Sequence, residues 1–334
     1  MAQRRHKSWQ RFRITFFVTE PTVTLPETLD AAWQALSRAL GEVSTEAETE
    51  TRWLFQHVGC SLQDRRWQPD KPLSAAQRQF LGEALRRRQQ REPLQHVLGT
   101  QAFRQMELVV NSQVLIPRPE TEELVERVLA YVQPLSIKAA VPLRVLDVGT
   151  GSGAIALALK TECPTLEVWA TDLSTEALQV ARLNAQQLGV PIHFRQGDGL
   201  FALGDSLQAS FDVLVSNPPY IPHEELADLA PEVRDYEPHQ ALVPQDLDPL
   251  FFYRHFAAEA PRVLKPGARA FFEIHSALGP QTQACFQPPV WCRTEVHTDF
   301  SQRPRFVEAW LAADLNWAAD SQNHDKEGVM TCVS

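Results

Sequence analysis

The chain has 334 residues, 44% of them hydrophobic, which exceeds one average domain and can bury a sizeable core. Its net charge of −9 is uneven: residues 1–100 hold 15 Lys and Arg against 11 Asp and Glu, and the remainder 17 against 30. The later part therefore lacks the basic surplus of a nucleic-acid-binding face, no run approaches the ~18 apolar residues of a membrane span, and five cysteines without Cys-x-x-Cys or histidine spacing argue against zinc and a disulfide framework.

No membrane association and a reducing, cytoplasmic setting are expected. Residues 1–20 carry Arg4, Arg5, Lys7, Arg11 and Arg13 before any acid and read as a disordered basic extension, with an organellar address as the alternative. Helical spacing follows at 29–40, 46–58 and 74–91, clearest in Trp33, Leu36 and Leu40 and in Phe80, Leu81 and Leu85. Ser74 is placed to cap the third helix. These helices make a substrate-docking domain over 21–100, and the basic run Arg86, Arg87, Arg88 and Arg91 reads as a solvated face or a docking surface.

Residues 103–110 and 113–116 flank Asn111-Ser112, which predicts a β-hairpin linker over 101–118. Pro119 then opens a helix through 131, with Glu120, Glu122 and Glu123 at its positive end. From 143 onward strands at 143–148, 166–171, 192–196 and 211–216 alternate with helices at 154–161 and 174–188. A helix at 251–264, a strand at 268–274 and a closing antiparallel pair at 290–297 and 305–311 complete the pattern. The expected fold is α/β, a largely parallel sheet covered on both faces, forming a catalytic domain over 119–315 with a polar tail at 316–334.

Two motifs carry chemistry. Asp147 ends a strand and leads into Val148-Gly149-Thr150-Gly151-Ser152-Gly153, a loop that lets a ligand approach backbone N–H groups at the start of the next helix. The glycines alternate instead of following G-x-G-x-x-G, so a dinucleotide loop fits less well than a loop for S-adenosylmethionine, whose ammonium Asp147 would neutralise. Asp172, ending the next strand, suits the ribose hydroxyls or a helix-start charge. Asp198 suits the adenine amino group or solvent, and Gly199 and Leu200 would line that ring.

Asn217-Pro218-Pro219-Tyr220 follows the buried strand 211–216 directly, and neither proline carries an N–H, so the turn offers acceptors with few competing donors. The Asn217 side-chain oxygen and the Pro218 carbonyl would each accept one N–H of an amino or amide group, while Tyr220 packs beside it and stabilises cationic character. The connection 222–249 carries eight acidic residues against Arg234 and reads as a lid or substrate rim, or as an idle solvated loop.

With these residues in view, the chain resembles the peptide-chain release factor glutamine N5-methyltransferases, the HemK/PrmC family. The likeness covers about two thirds of its length. It runs from Glu92-Pro93-Leu94-Gln95 through the specific segment Ile116-Pro117-Arg118-Pro119-Glu120-Thr121-Glu122, the glycine loop, Asp172 and Asn217 to Tyr220, to Glu237-Pro238 and the last strands. The resemblance implies a class I methyltransferase domain with a seven-stranded mixed sheet, a Rossmann-like fold, and a helical N-terminal domain that docks the release factor. It implies methyl transfer from S-adenosylmethionine to the glutamine of a Gly-Gly-Gln motif, with Gly149, Gly151 and Asp172 binding the donor and Asn217, Pro218 and Tyr220 the acceptor. Residues 244–249 and His275 depart from the family pattern. The alternative is a nucleic acid N-methyltransferase acting on an adenine or guanine exocyclic amine, which shares the tetrapeptide; the acidic charge of the catalytic part favours no direct nucleic acid substrate.

Overall fold

The computed structural model describes residues 24–314 apart from residue 245; the expected extension 1–20 and tail 316–334 lie outside the described residues. The chain divides into two compact units between Gln90 and Arg91, ten residues before the expected end of the helical domain, so the segment after Arg91 belongs with the hairpin it leads into.

The first unit contains α1 (Leu29–Leu40), α2 (Ala47–His57), α3 (Leu62–Trp67) and α4 (Ala75–Gln89). Leu29, Trp33, Leu36 and Leu40 are buried along α1 at helical spacing, and Trp33 stacks on Phe55 of α2 at 4.8 Å. Two reciprocal caps start α3 and α4: Ser61 with Asp64, and Ser74 with Gln77. α3, unforeseen in the sequence, starts at the Ser61 cap and stops at Gln68, which precedes Pro69. Within the basic run Arg88 is neither solvated nor available for docking, because it is buried in a two-bond pair with Glu50 of α2 at 2.7 and 2.9 Å.

The second unit opens with α5 (Leu94–Leu98), which stops at Gly99 with φ +76°. An antiparallel hairpin follows, β1 (Thr100–Phe103) with β2 (Met106–Val109). The expected hairpin at Asn111-Ser112 is thus displaced: the chain turns at Arg104 and Gln105, and residues 113–116 form no strand. Asn111 instead accepts the Gln113 N–H on its side-chain oxygen at 2.9 Å, a local turn that competes with strand pairing.

The remainder comprises α6 (Pro119–Ser136), β3 (Arg144–Val148), α7 (Ala154–Glu162), β4 (Glu167–Asp172), α8 (Thr175–Leu188), β5 (His193–Gln196), β6 (Phe211–Ser216), α9 (Pro231–Arg234), α10 (Phe251–Val263), β7 (Leu264–Glu273), α11 (Gly279–Gln283), β8 (Trp291–Thr298) and β9 (Pro304–Leu311). Seven strands form one sheet in the order β5-β4-β3-β6-β7-β9-β8. The first five are parallel, and β9 runs antiparallel between β7 and β8.

Alternation along the strands sorts side chains between two cores. Val145, Val213, Val215 and Phe271 meet α6, α7 and α8 on one face, whereas Leu146, Val148, Leu214 and Phe272 meet Tyr253 and Phe256 of α10 on the other. Each fully buried large aliphatic side chain contributes roughly 1.5–3 kcal/mol, so covering both faces drives the assembly. The chain steps outward from β3 to β5 and then returns to β6 on the other side of β3. Such a reversal opens a crevice at the carboxyl ends of the two central strands, where ligands of open α/β sheets bind. Among the described residues, no helix is long and apolar enough to cross a membrane, and no His, Cys, Asp and Glu cluster could hold a metal ion.

Candidate active site

The crevice brings both sequence motifs together. The glycine loop leaves β3, the tetrapeptide leaves β6, and the Ser216 hydroxyl donates to the Val148 carbonyl at 2.7 Å between them. Gly149 and Gly151 have φ of +73° and +54°, and a Cβ on either would meet nothing within 4 Å. Their backbone needs glycine, and the space above them is open to a ligand. A Cβ on Gly153 would instead meet Leu157 at 3.0 Å and Ala181 at 3.3 Å, so this glycine allows α7 to pack against α8.

The loop is held from several sides. The Gly149 and Thr150 N–H groups donate to the Thr171 carbonyl at 2.9 and 3.0 Å. Ser152 is buried, and its carbonyl accepts from the Asn184 side-chain amide of α8 at 2.9 Å. The same Asn184 bonds both the N–H and the carbonyl of Val109 in β2, a three-way tie that the amphipathic pattern of α8 did not reveal.

Asp147 is wholly buried beneath the loop. Its Oδ2 accepts from the Thr150 hydroxyl at 2.6 Å and the Ala156 N–H at 3.2 Å, while Oδ1 is buried without a partner. Burial pushes its pKa up to about 7, against the lowering effect of those two bonds. Asp172 uses one oxygen for the Gly151 N–H at 2.8 Å and the other for the Ser174 N–H at 2.9 Å. Burial again raises its pKa, and the backbone donors oppose the rise. Each Asp172 oxygen keeps a further lone pair, so clamping the loop and accepting hydroxyls are compatible. Asp198 is exposed, Gly199 begins a 3₁₀ turn, and Leu200 is buried in the core around Val148 and Trp169.

At the second motif, Pro218 is buried, and Asn217, Pro219 and Tyr220 are half-buried. The Asn217 Nδ2 donates to the Thr121 hydroxyl at 3.2 Å, and that hydroxyl donates to Glu273 Oε2 at 2.8 Å. The Tyr220 hydroxyl donates to Glu273 Oε1 at 2.9 Å, and the Tyr253 hydroxyl to the Glu273 carbonyl at 2.8 Å. Burial raises the Glu273 carboxyl, which the bonds from Thr121 and Tyr220 and the charge of Arg305 lower. Arg305 pairs with Asp299 at 3.4 Å. Sequence reasoning missed Thr121, Glu273 and Arg305 as site residues; the one available signal was that Thr121 lies inside the segment 116–122.

The acidic connection 222–249 is anchored at defined points. Glu237 is buried and holds Arg118 at 2.6 Å and the Ile116 N–H at 3.3 Å. Glu225 meets the His275 ring at 3.1 Å. His275 thereby ties this connection to the end of β7. The site thus offers a glycine cradle over the buried Asp147 and half-buried Asp172, beside an amide-and-carbonyl turn one strand away.

The chain is similar to known proteins over most of its length. Residues 31–99 match the family described as PrmC N-terminal domain, and residues 132–232 match Methyltransferase small domain. The chain is 41% identical over 228 residues to a release factor glutamine methyltransferase of Streptomyces coelicolor, covering 68% of this chain and 79% of that protein. It is 38% identical over 287 residues to one of Caulobacter vibrioides, covering 84% and 95%. A solved protein-(glutamine-N5) methyltransferase (release factor-specific) from Alicyclobacillus acidocaldarius is 28% identical, with a TM-score of 0.35, over 59% of this chain and 94% of that one.

Proposed function

The chain belongs to the release factor glutamine methyltransferase family, and from that membership we propose that it methylates the side-chain amide nitrogen of the glutamine in the Gly-Gly-Gln motif of a peptide-chain release factor, using S-adenosylmethionine. We place the reaction in a reducing cytoplasm, with an organelle addressed by the basic residues Arg4 to Arg13 as the alternative.

The residues present fit the donor. The open face of Gly149 and Gly151 leaves room for its methionine end, the unpartnered Asp147 oxygen offers a buried acceptor for an ammonium, and Asp172 has lone pairs left for ribose hydroxyls. Asp198, Gly199 and Leu200 would border the adenine, and Thr150, Ser152 and Gly153 shape the loop. When bound, the donor supplies a sulfonium methyl carbon.

A carboxamide nitrogen is a weak nucleophile because its lone pair is shared with the carbonyl, so position must supply much of the rate. The Asn217 oxygen and the Pro218 carbonyl each take one N–H of the glutamine amide, which aims the nitrogen. Pro219 keeps the turn free of competing donors, and the Tyr220 ring stands beside the nitrogen as it becomes cationic. The nitrogen lone pair forms the new N–C bond while the C–S bond breaks with its electrons left on sulfur, and the surplus proton leaves the nitrogen to water.

The observation that carries this reading is the placement of Asn217 and the glycine loop on adjacent strands of one crevice. Asn217→Ala should lower kcat by roughly 100- to 1,000-fold, as loss of one well-aimed polar group does, with affinity for S-adenosylhomocysteine nearly unchanged. Labelled donor offered with a release factor, with DNA and with RNA, followed by peptide mass analysis, checks the acceptor. Methyl found only in nucleic acid overturns the assignment.

A further inference from the structure

We propose that Thr121 and Glu273 are positioning residues that decide which end of the Asn217 carboxamide faces the substrate. The proposal rests on the reading that Asn217 holds the glutamine amide, and it turns on hydrogen counting. Glu273 is almost fully buried, and its two oxygens receive the hydroxyls of Thr121 and Tyr220 at 2.8 and 2.9 Å. An ionised carboxylate can only accept. Thr121 therefore spends its single hydroxyl hydrogen on Glu273 and has only lone pairs left for Asn217. Those lone pairs select the NH2 end of Asn217, 3.2 Å away, and the oxygen is left for the substrate N–H. Thr121 and Glu273 are 152 residues apart, yet this chain of three groups sets the polarity of the acceptor site.

The arrangement has one alternative state. If Glu273 takes up a proton on Oε2, its O–H donates to Thr121, and Thr121 can then donate to the Asn217 oxygen. The carboxamide turns over and presents NH2 to the substrate NH2, donor against donor. The groups facing Glu273 decide where this happens. From α6 come Thr121 and the negative charge of Glu120, from the tetrapeptide Tyr220, and from β9 the positive charge of Arg305, itself paired with Asp299. Tyr253 of α10 occupies the main-chain carbonyl rather than the carboxyl group. Burial raises the Glu273 carboxyl, so kcat falls as pH drops through that raised value.

Four variants of the full chain test this by steady-state kinetics, with S-adenosylhomocysteine affinity and thermal midpoint as folding controls. Thr121→Val keeps the shape and removes the hydroxyl, and kcat should fall about 30-fold, within the cost of misaligning a reacting group, with KM nearly unchanged. Thr121→Ser restores the hydroxyl and should recover most of the turnover. Glu273→Gln must donate to one of its two hydroxyl partners, so it should be slow and should lack the acidic limb of the pH profile. The T121V/E273Q double variant should be no slower than E273Q alone, because both act through one carboxamide.

Equal turnover of T121V and T121S overturns the proposal, and so does a multiplicative loss in the double variant. Should E273Q fail to fold, the Thr121 pair decides alone. An N217A variant with undiminished turnover defeats the functional reading itself, whereas a dead N217A beside a fully active T121V defeats only the positioning role.

Discussion

Asp147 holds the glycine loop through Thr150 and Ala156 and, on the proposed reading, also meets the ligand. Its carboxyl is raised to about 7 by burial, well above the ordinary Asp value near ~3.9. A raised acid binds more protons in the folded state, so its contribution is full below the unfolded value and is lost as pH rises through about 7. An incoming ammonium favours the ionised form. Affinity for S-adenosylhomocysteine should therefore tighten between about pH 5.5 and 7.5, and proton release should accompany binding. Asp147→Asn should flatten that dependence in calorimetry; an unchanged slope would assign the proton to another group. The motif marked Asp147 as a candidate donor residue but gave no sign of its complete burial. Thr121 and Glu273 were less legible still, because each is an ordinary polar residue until the sheet order brings them together.

At the scale of elements, the strands were readable because those buried on both faces are nearly continuous apolar runs, as in 211–216. The hairpin was misplaced because its turn carries Arg104 at φ +51° instead of the usual glycine or asparagine. The Asn-Ser pair that carries the turn signature lies beyond it and spends Asn111 on a local bond. Asn184 was missed for a related reason: a polar residue on an amphipathic helix reads as solvated, yet here it is buried and joins α8, the glycine loop and β2. Asn184→Ala should leave the buried Ser152 carbonyl and the part-buried backbone groups of Val109 without these partners and cost about 1–3 kcal/mol for each group that water cannot reach. Chemical denaturation would record the loss, and weakened donor binding in the folded fraction would show that the loop has slackened. Full donor affinity would mean the loop holds its shape without the tie.

For the whole molecule, the division at Gln90 and Arg91 separates two units with their own buried cores. The family match ends the first domain at residue 99, beside the expected bound of 100, whereas the packing groups α5 and the hairpin with the second unit. A chain beginning at Arg91 should fold and bind S-adenosylhomocysteine within about threefold of the full chain, since every candidate donor residue lies in that unit. Its KM for a release factor should rise by about tenfold or more, the equivalent of ~1.4 kcal/mol of docking. An unchanged KM would free the first unit from any part in recognition.

The Ser216 hydroxyl, bonded across to the Val148 carbonyl at the top of the sheet, fixes more than a local contact. The two turns proposed to carry the ligands hang from neighbouring strands, whose separation of ~4.8 Å is a constant of backbone pairing. On the proposed reading, the distance from methyl source to methyl sink is set first by main-chain spacing, and the visiting side chain must supply the remaining reach.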